Sequence, residues 1–290
     1  MLLGLILRGA ILPALVTGFL LSALWRPWRK GAFPSRWSWI EPLAFAAGYA
    51  SAQVALIGWP AFPPRESTHG LFYLAVAAGT LAPLASSRAI PVAARWIVSA
   101  VLAFAVPLLL LRARIEHRWS AGESAGWVFA LGTAALAVGA ASKTASRLPG
   151  PASILALLVP LTATAGVLVL SGTALHSQLA GAVAASLGAA LALSVRRPGI
   201  ALSPASTQFV STLLCSFLVT GHFSTGVSAI NVFLLGLCPI TTFLTVRTGW
   251  ARNLPTWRAA FVQLAASGLP ATVSLGLALR AFLASGEPGY

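Results

Sequence analysis

Ten apolar runs, each long enough to cross a bilayer as a helix, follow one another along the chain with only short breaks between them. They cover residues 3–24, 40–59, 70–87, 95–112, 125–142, 152–171, 174–195, 205–221, 226–246 and 258–283. A helix rises about 1.5 Å per residue, so about 20 mainly apolar residues span the hydrocarbon core. The pattern predicts an all-α fold: a polytopic transmembrane helix bundle of about ten spans, forming a single integral membrane domain over residues 1–290. Composition agrees. Only 8% of the residues are charged, against about 25% in soluble domains, so the bilayer has to be the solvent for most of the surface. The first run lacks a charged leading segment and a small-residue cleavage site, which favours a retained helix over a signal peptide.

The net charge of +14 does not read as a nucleic-acid footprint, because the basic residues sit in short clusters between apolar runs rather than along one face. Alternate loops (25–39, 88–95, 143–151, 196–204 and 247–258) hold 13 of the 19 Lys and Arg. Cationic loops face the cytoplasm, so both termini are expected outside. The three Arg of residues 112–118 run against this trend, with Glu116 and Glu123 as partial offsets. Arg far outnumbers Lys, and Ala, Gly and Pro are plentiful. That bias suggests a GC-rich bacterial genome and hence the inner (plasma) membrane. All ten tryptophans (Trp25, Trp28, Trp37, Trp39, Trp59, Trp96, Trp119, Trp127, Trp250 and Trp257) fall at or near span ends, where the amphipathic indole anchors a helix at headgroup level.

Polar atoms concentrate in the hairpin 208–247, which carries Ser211, Thr212, Ser216, Thr220, His222, Ser228, Asn231, Thr241, Thr242 and Thr245 around a short turn. The rest of the chain repeats this pattern with fewer polar groups and is read as organised around this pair of spans, although the run at 205–221 is the shortest and follows the polar stretch SPASTQ. Pro13, Pro107, Pro160, Pro239 and Pro270 lie inside spans and are expected to kink them. Small residues such as Ala135, Gly139, Gly181, Ala185 and Gly188 allow close helix approach. Ten spans also divide into five plus five near residue 150, which is compatible with two inverted five-helix halves, a common transporter design. Ten helices in this length resemble the drug/metabolite transporter layout, but no motif carries the likeness and no family is recognised from the residues.

Chemistry is sparse. There is no Asp, Glu occurs five times, and no nucleotide loop, zinc spacing or nucleophile elbow is present. No cofactor or metal is indicated, and enzymatic activity is disfavoured. Cys215 and Cys238 differ in expected depth and are read as free thiols. Glu41 begins the second span beside a basic loop, where an interfacial ion pair is expected. His69, His117, His176 and His222 fall in or beside the four outer turns, so a metal or proton-sensing site there competes with ordinary interfacial partners. Gln53, Tyr73, His176, Gln178, His222 and Asn231 all come out at or near the outer face, and a vestibule for a solute is one reading of them. Two function classes follow: a carrier or permease for a small, weakly charged or apolar solute, and a non-transporting membrane scaffold or subunit. The expected partners are the lipid bilayer and a small solute.

The orientation is testable. Reporter fusions after Arg36, Arg147 and Arg252 are expected to report cytoplasm, and fusions after His69 and Gly172 the exterior. The reverse pattern at most sites would overturn it.

Overall fold

The computed structural model describes residues 2–26, 39–64, 66–87, 89–197, 199–249 and 253–284. The sequence-based roles given to Trp28, Trp37, Trp250, Arg65, Arg88 and the basic residues of 27–38 fall outside these. Among the described residues the fold is all helix, with no strand. Helix α1 covers residues 2–25. It consists of Leu2–Ile6, a π-helical turn Leu7–Ile11, and Leu12–Trp25. The others are α2 (Glu41–Ile57), α3 (Ser67–Ser86), α4 (Val92–Leu110), the short α5 (Arg112–His117), α6 (Ala121–Ser142), α7 (Pro151–Leu170), α8 (Ala174–Arg196), α9 (Pro204–Thr225), α10 (Ala229–Arg247) and α11 (Thr256–Ala284). A 3-10 turn, Lys143–Arg147, extends α6. Ten of these match the ten expected spans. Eight are long and apolar enough to cross a membrane unaided. The two that fall short are α2, at 17 residues, and α9, which is rich in Ser and Thr.

Helix α9 is the axis. Residues 205–221 are all buried, on every side of the helix. It packs against α2, α3, α4, α6, α7, α8 and α10, and each of these packs on ring neighbours in turn. Helix α1 lies outside, on α2 and α8, and α11 lies outside, on α7 and α10. The polar content of α9 is compatible with this place because its hydroxyls are satisfied within the helix. Ser211 and Thr212 donate to the Gln208 carbonyl at 3.0 and 2.9 Å, Ser216 to Thr212 at 2.8 Å, and Thr220 to Ser216 at 2.9 Å. Neighbours therefore meet mostly carbon. Phe209 stacks on Phe45 of α2, and Phe217 meets Tyr49 of the same helix edge-on. Cys215 sits among Ala103, Ala135 and Val138. Both cysteines are free and buried.

Local sequence sets the ends of this axis. Ser203 caps α9 by accepting from the Ser206 N–H, and Pro204 follows at the first turn. The other end closes at Gly226, whose φ of 75° suits glycine. Ser228 then caps α10 by accepting from the Asn231 N–H. The hairpin read from the sequence is thus a tight α9–α10 turn. Nearby, Arg114 donates to the Phe223 carbonyl and lies over its ring. Arg112 pairs with Glu116 at 2.6 Å, and Glu123 forms a capping box with Ser120 at the start of α6. Two of the three Arg that run against the charge trend are therefore engaged locally.

The outer surface is apolar, with Phe19, Val101, Phe129, Phe233, Phe261 and Leu269 exposed. A belt of that size on a folded chain fits contact with lipid. Trp39, Trp59, Trp96, Trp127 and Trp257 are exposed, as anchors should be, whereas Trp119 stacks on Trp127. Trp25 departs from the expectation: it is 1% exposed, a core residue under the end of α1. Pro107, Pro160, Pro239 and Pro270 lie within helices that continue through them, as does Pro83 of α3, which the sequence reading omitted. Pro13 directly follows the π turn, where helical hydrogen bonding is already shifted.

Polar contacts join the outer helices to the ring. Thr17 of α1 donates to the Ala44 carbonyl and to Ser186 of α8, and Ser186 reaches the Pro13 carbonyl. Gly48 makes this crossing possible, because a Cβ there would lie 2.0 Å from the Thr17 hydroxyl and 3.0 Å from the Pro13 carbonyl. Between α10 and α11, Gln263 donates to Thr242 and Ser267 and accepts from Thr245. Gly48→Ala is expected to lower the thermal midpoint in detergent, by an overpacking cost of about 1–3 kcal/mol. The double variant Gly48→Ala, Thr17→Ala should recover much of the loss. Unchanged melting of the single variant would show that α1 does not approach α2 this closely.

Candidate functional site

The six residues read as an outer polar layer lie at the face opposite the basic loops, in three separate groups. Gln53 is buried and donates to the Thr68 carbonyl at 2.7 Å. Tyr73, close by, donates to the carbonyls of Pro60 and Ala61 and is flanked by Phe62 and Phe72. His222 and Asn231 flank the Gly226 turn. The His222 Nδ1 lies 2.8 Å from the Val227 carbonyl, and Asn231 is buried, its carbonyl accepting from Ser274 of α11. His176 and Gln178 begin α8, with Gln178 packed by Gly9 of α1. The groups share one property: Gln53 Oε1, Asn231 Oδ1 and His176 Nε2 are buried polar atoms without a hydrogen-bond partner. Among the described residues no three His, Cys, Asp or Glu come together as a metal set would.

The basic face holds two features of a different kind. The first is Glu41, at the start of α2 and 1% exposed. Its carboxylate accepts the backbone N–H of Ser203 at 3.1 Å, and the expected ion-pair partners in 27–38 lie outside the described residues. The hydroxyls of Ser203 and Ser206 and the Trp25 indole lie alongside. A charged acceptor at the N-terminal end of a helix is favoured by the orphan N–H groups and the dipole there. Glu41 thus fastens the start of α2 to the N-cap of the axis.

The second is a cavity of about 550 Å³ where the ends of α3 and α4, the 3-10 turn after α6 and the start of α9 meet. Its wall includes Ser86, Arg95, Trp96, Lys143, Ser146 and Arg147, and, among the described residues, no acidic one. Lys143 Nζ donates to Ser99 at 2.9 Å, and Ser99 donates to the Arg95 carbonyl. Arg95 Nε and Ser86 Oγ are buried and have no partner. This volume is in the range of small-ligand sites. The sequence reading counted Arg95, Lys143 and Arg147 only as loop charges that set orientation. Their convergence depends on α4 and α6 being ring neighbours, and the only linear hint was that both loops share one face.

Comparison with protein families, with curated proteins and with solved structures found no match to this chain. The class is defined by the fold alone: a multi-pass α-helical membrane protein.

Glu41→Ala is expected to destabilise the bundle by about 1–3 kcal/mol, because it leaves the buried Ser203 N–H without its acceptor. Glu41→Gln keeps an acceptor oxygen and should cost less. Thermal unfolding of both variants in one detergent checks the order, and equal melting of Glu41→Ala and the parent would remove Glu41 from this role.

Proposed function

We propose that the protein is a non-transporting component of a bacterial plasma membrane, a scaffold or the membrane subunit of a larger complex, with its termini opposite the basic face. One observation carries this reading: the central helix is buried along residues 205–221 and its hydroxyls are already bonded within the helix. A carrier needs a path at the bundle axis where solute polar groups find free partners. Here the axis offers the solute almost none. Lipid-exposed irregular backbone is costly in a bilayer, and a solid core meets that constraint without any gating rearrangement.

A second reading is a carrier for a small, weakly charged or apolar solute, entered from a vestibule at the face bearing Gln53, Tyr73, His176, Gln178, His222 and Asn231. The specific support is the three partnerless polar atoms there, which call for water or solute.

One experiment separates the two. Cys238→Ala leaves Cys215, on the axis, as the sole thiol. Companion variants place single cysteines at Ser211 and Thr220, also on the axis, in a background lacking both native cysteines. A scaffold predicts that a membrane-impermeant maleimide labels none of the three axial positions in intact membranes, even on long exposure, and labels them after denaturation. Because the reaction is irreversible, a carrier that opens only briefly would still accumulate label. Progressive labelling at Ser211→Cys and Thr220→Cys would replace the scaffold reading with the carrier.

A further inference from the structure

We propose that the basic-face cavity binds the phosphate of an anionic glycerophospholipid headgroup. The charge balance is the first ground. Arg95, Lys143 and Arg147 converge on one cavity whose wall, among the described residues, contains no carboxylate, and Glu41, on the same face, is bonded to Ser203. Three cations without an anion repel one another, and an anion placed among them removes that repulsion. The second ground is hydrogen bonding. Arg95 Nε–H and the Ser86 hydroxyl are buried donors without acceptors. Lys143 gives one bond to Ser99, and an ammonium has three donors. A phosphate group, with several acceptor oxygens and charge-assisted bonding to guanidinium, answers all of these groups at once.

The third ground decides the source of the phosphate. The cavity opens beside a lipid-facing stripe on α4: Val92 and Trp96 are in its wall, and both are more than half exposed, as are Ile97 and Val101 further along the same helix. Trp96 places this rim at headgroup depth. A phospholipid can therefore seat its phosphate among the cations while its acyl chains lie along Ile97 and Val101. Free phosphate would leave that apolar surface unused. Basic pockets between spans are a known setting for acidic headgroups. This inference is independent of the choice between scaffold and carrier.

The test uses the full chain purified in detergent. Phosphatidylglycerol and phosphatidylcholine are added separately, and retention is read by native mass spectrometry. The wild type is expected to retain one phosphatidylglycerol in clear preference to phosphatidylcholine. Arg95→Gln with Lys143→Gln should lower that retention about tenfold or more, the scale of a lost charge-assisted contact. Ser86→Trp, which keeps every cation but fills the cavity, should do the same. Melting in phosphatidylcholine alone verifies that each variant is folded. Equal retention of the two lipids by the wild type, or undiminished phosphatidylglycerol retention in a folded variant, would overturn the proposal. A parallel titration with inorganic phosphate separates the sources. Stabilisation by millimolar phosphate, with displacement of the lipid and no dependence on the acyl chains, would assign the site to free phosphate and overturn the lipid assignment.

Discussion

A polar helix can occupy the dry centre of a membrane protein only if its polar groups are satisfied before any neighbour arrives. In α9 the hydroxyls of Thr207, Ser211, Thr212, Ser216 and Thr220 each close onto a carbonyl of their own helix. What remains for the ring is a surface of methyls, aromatic rings and small residues. Seven helices pack on it, and the contacts α1 and α11 make with that ring have polar links of their own at Thr17–Ser186 and Gln263–Thr242. Gln208 is the exception on the axis. Its Oε1 has no partner, and Gly139 of α6 leaves room beside the amide. An interhelical hydrogen bond in a membrane is worth typically about 0.6 kcal/mol, so close packing around α9 has to supply most of the stability.

How much of this could be read from the chain varies with the range of the cause. Helix existence is local, and the ten runs emerged as ten helices because length and hydropathy are properties of each segment alone. The α9–α10 hairpin was legible for the same reason, but its turn was expected at HFST, residues 222–225, which are the last residues of α9, and it falls instead at Gly226–Ser228. The central place of α9 was not. Its polar composition reads in sequence as a weak span, and only three-dimensional enclosure shows that it never meets lipid. Trp25 was misread because a tryptophan at a span end is the same signal whether the indole faces headgroups or the core. The Glu41 bond to Ser203 spans 162 residues, a distance that no local pattern connects. The cavity joins Arg95 to Lys143 across a sequence gap that no periodicity bridges.

The two faces differ in their handling of polarity. On the basic face, a carboxylate is spent on a helix start and three cations gather around an open volume. On the far face, Arg112 and Arg114 are engaged by Glu116 and Phe223, and the buried orphans there are amide, imidazole and hydroxyl atoms. What sets the basic face apart is the convergence of three cations on one cavity.

The place of α9 in the chain has a consequence for assembly. It is the eighth of the ten long helices to leave the ribosome, yet it belongs at the centre, and it is not among the eight that are long and apolar enough to cross a membrane. The helices made before it cannot close around their final axis until it arrives. They must wait as an incomplete arc with an open flank. The three-residue turn between Thr225 and Ala229 ties α9 to a strongly apolar successor, so the natural unit of insertion is the α9–α10 pair. An axis made that late is enclosed only once α10, its last ring neighbour in chain order, has followed it.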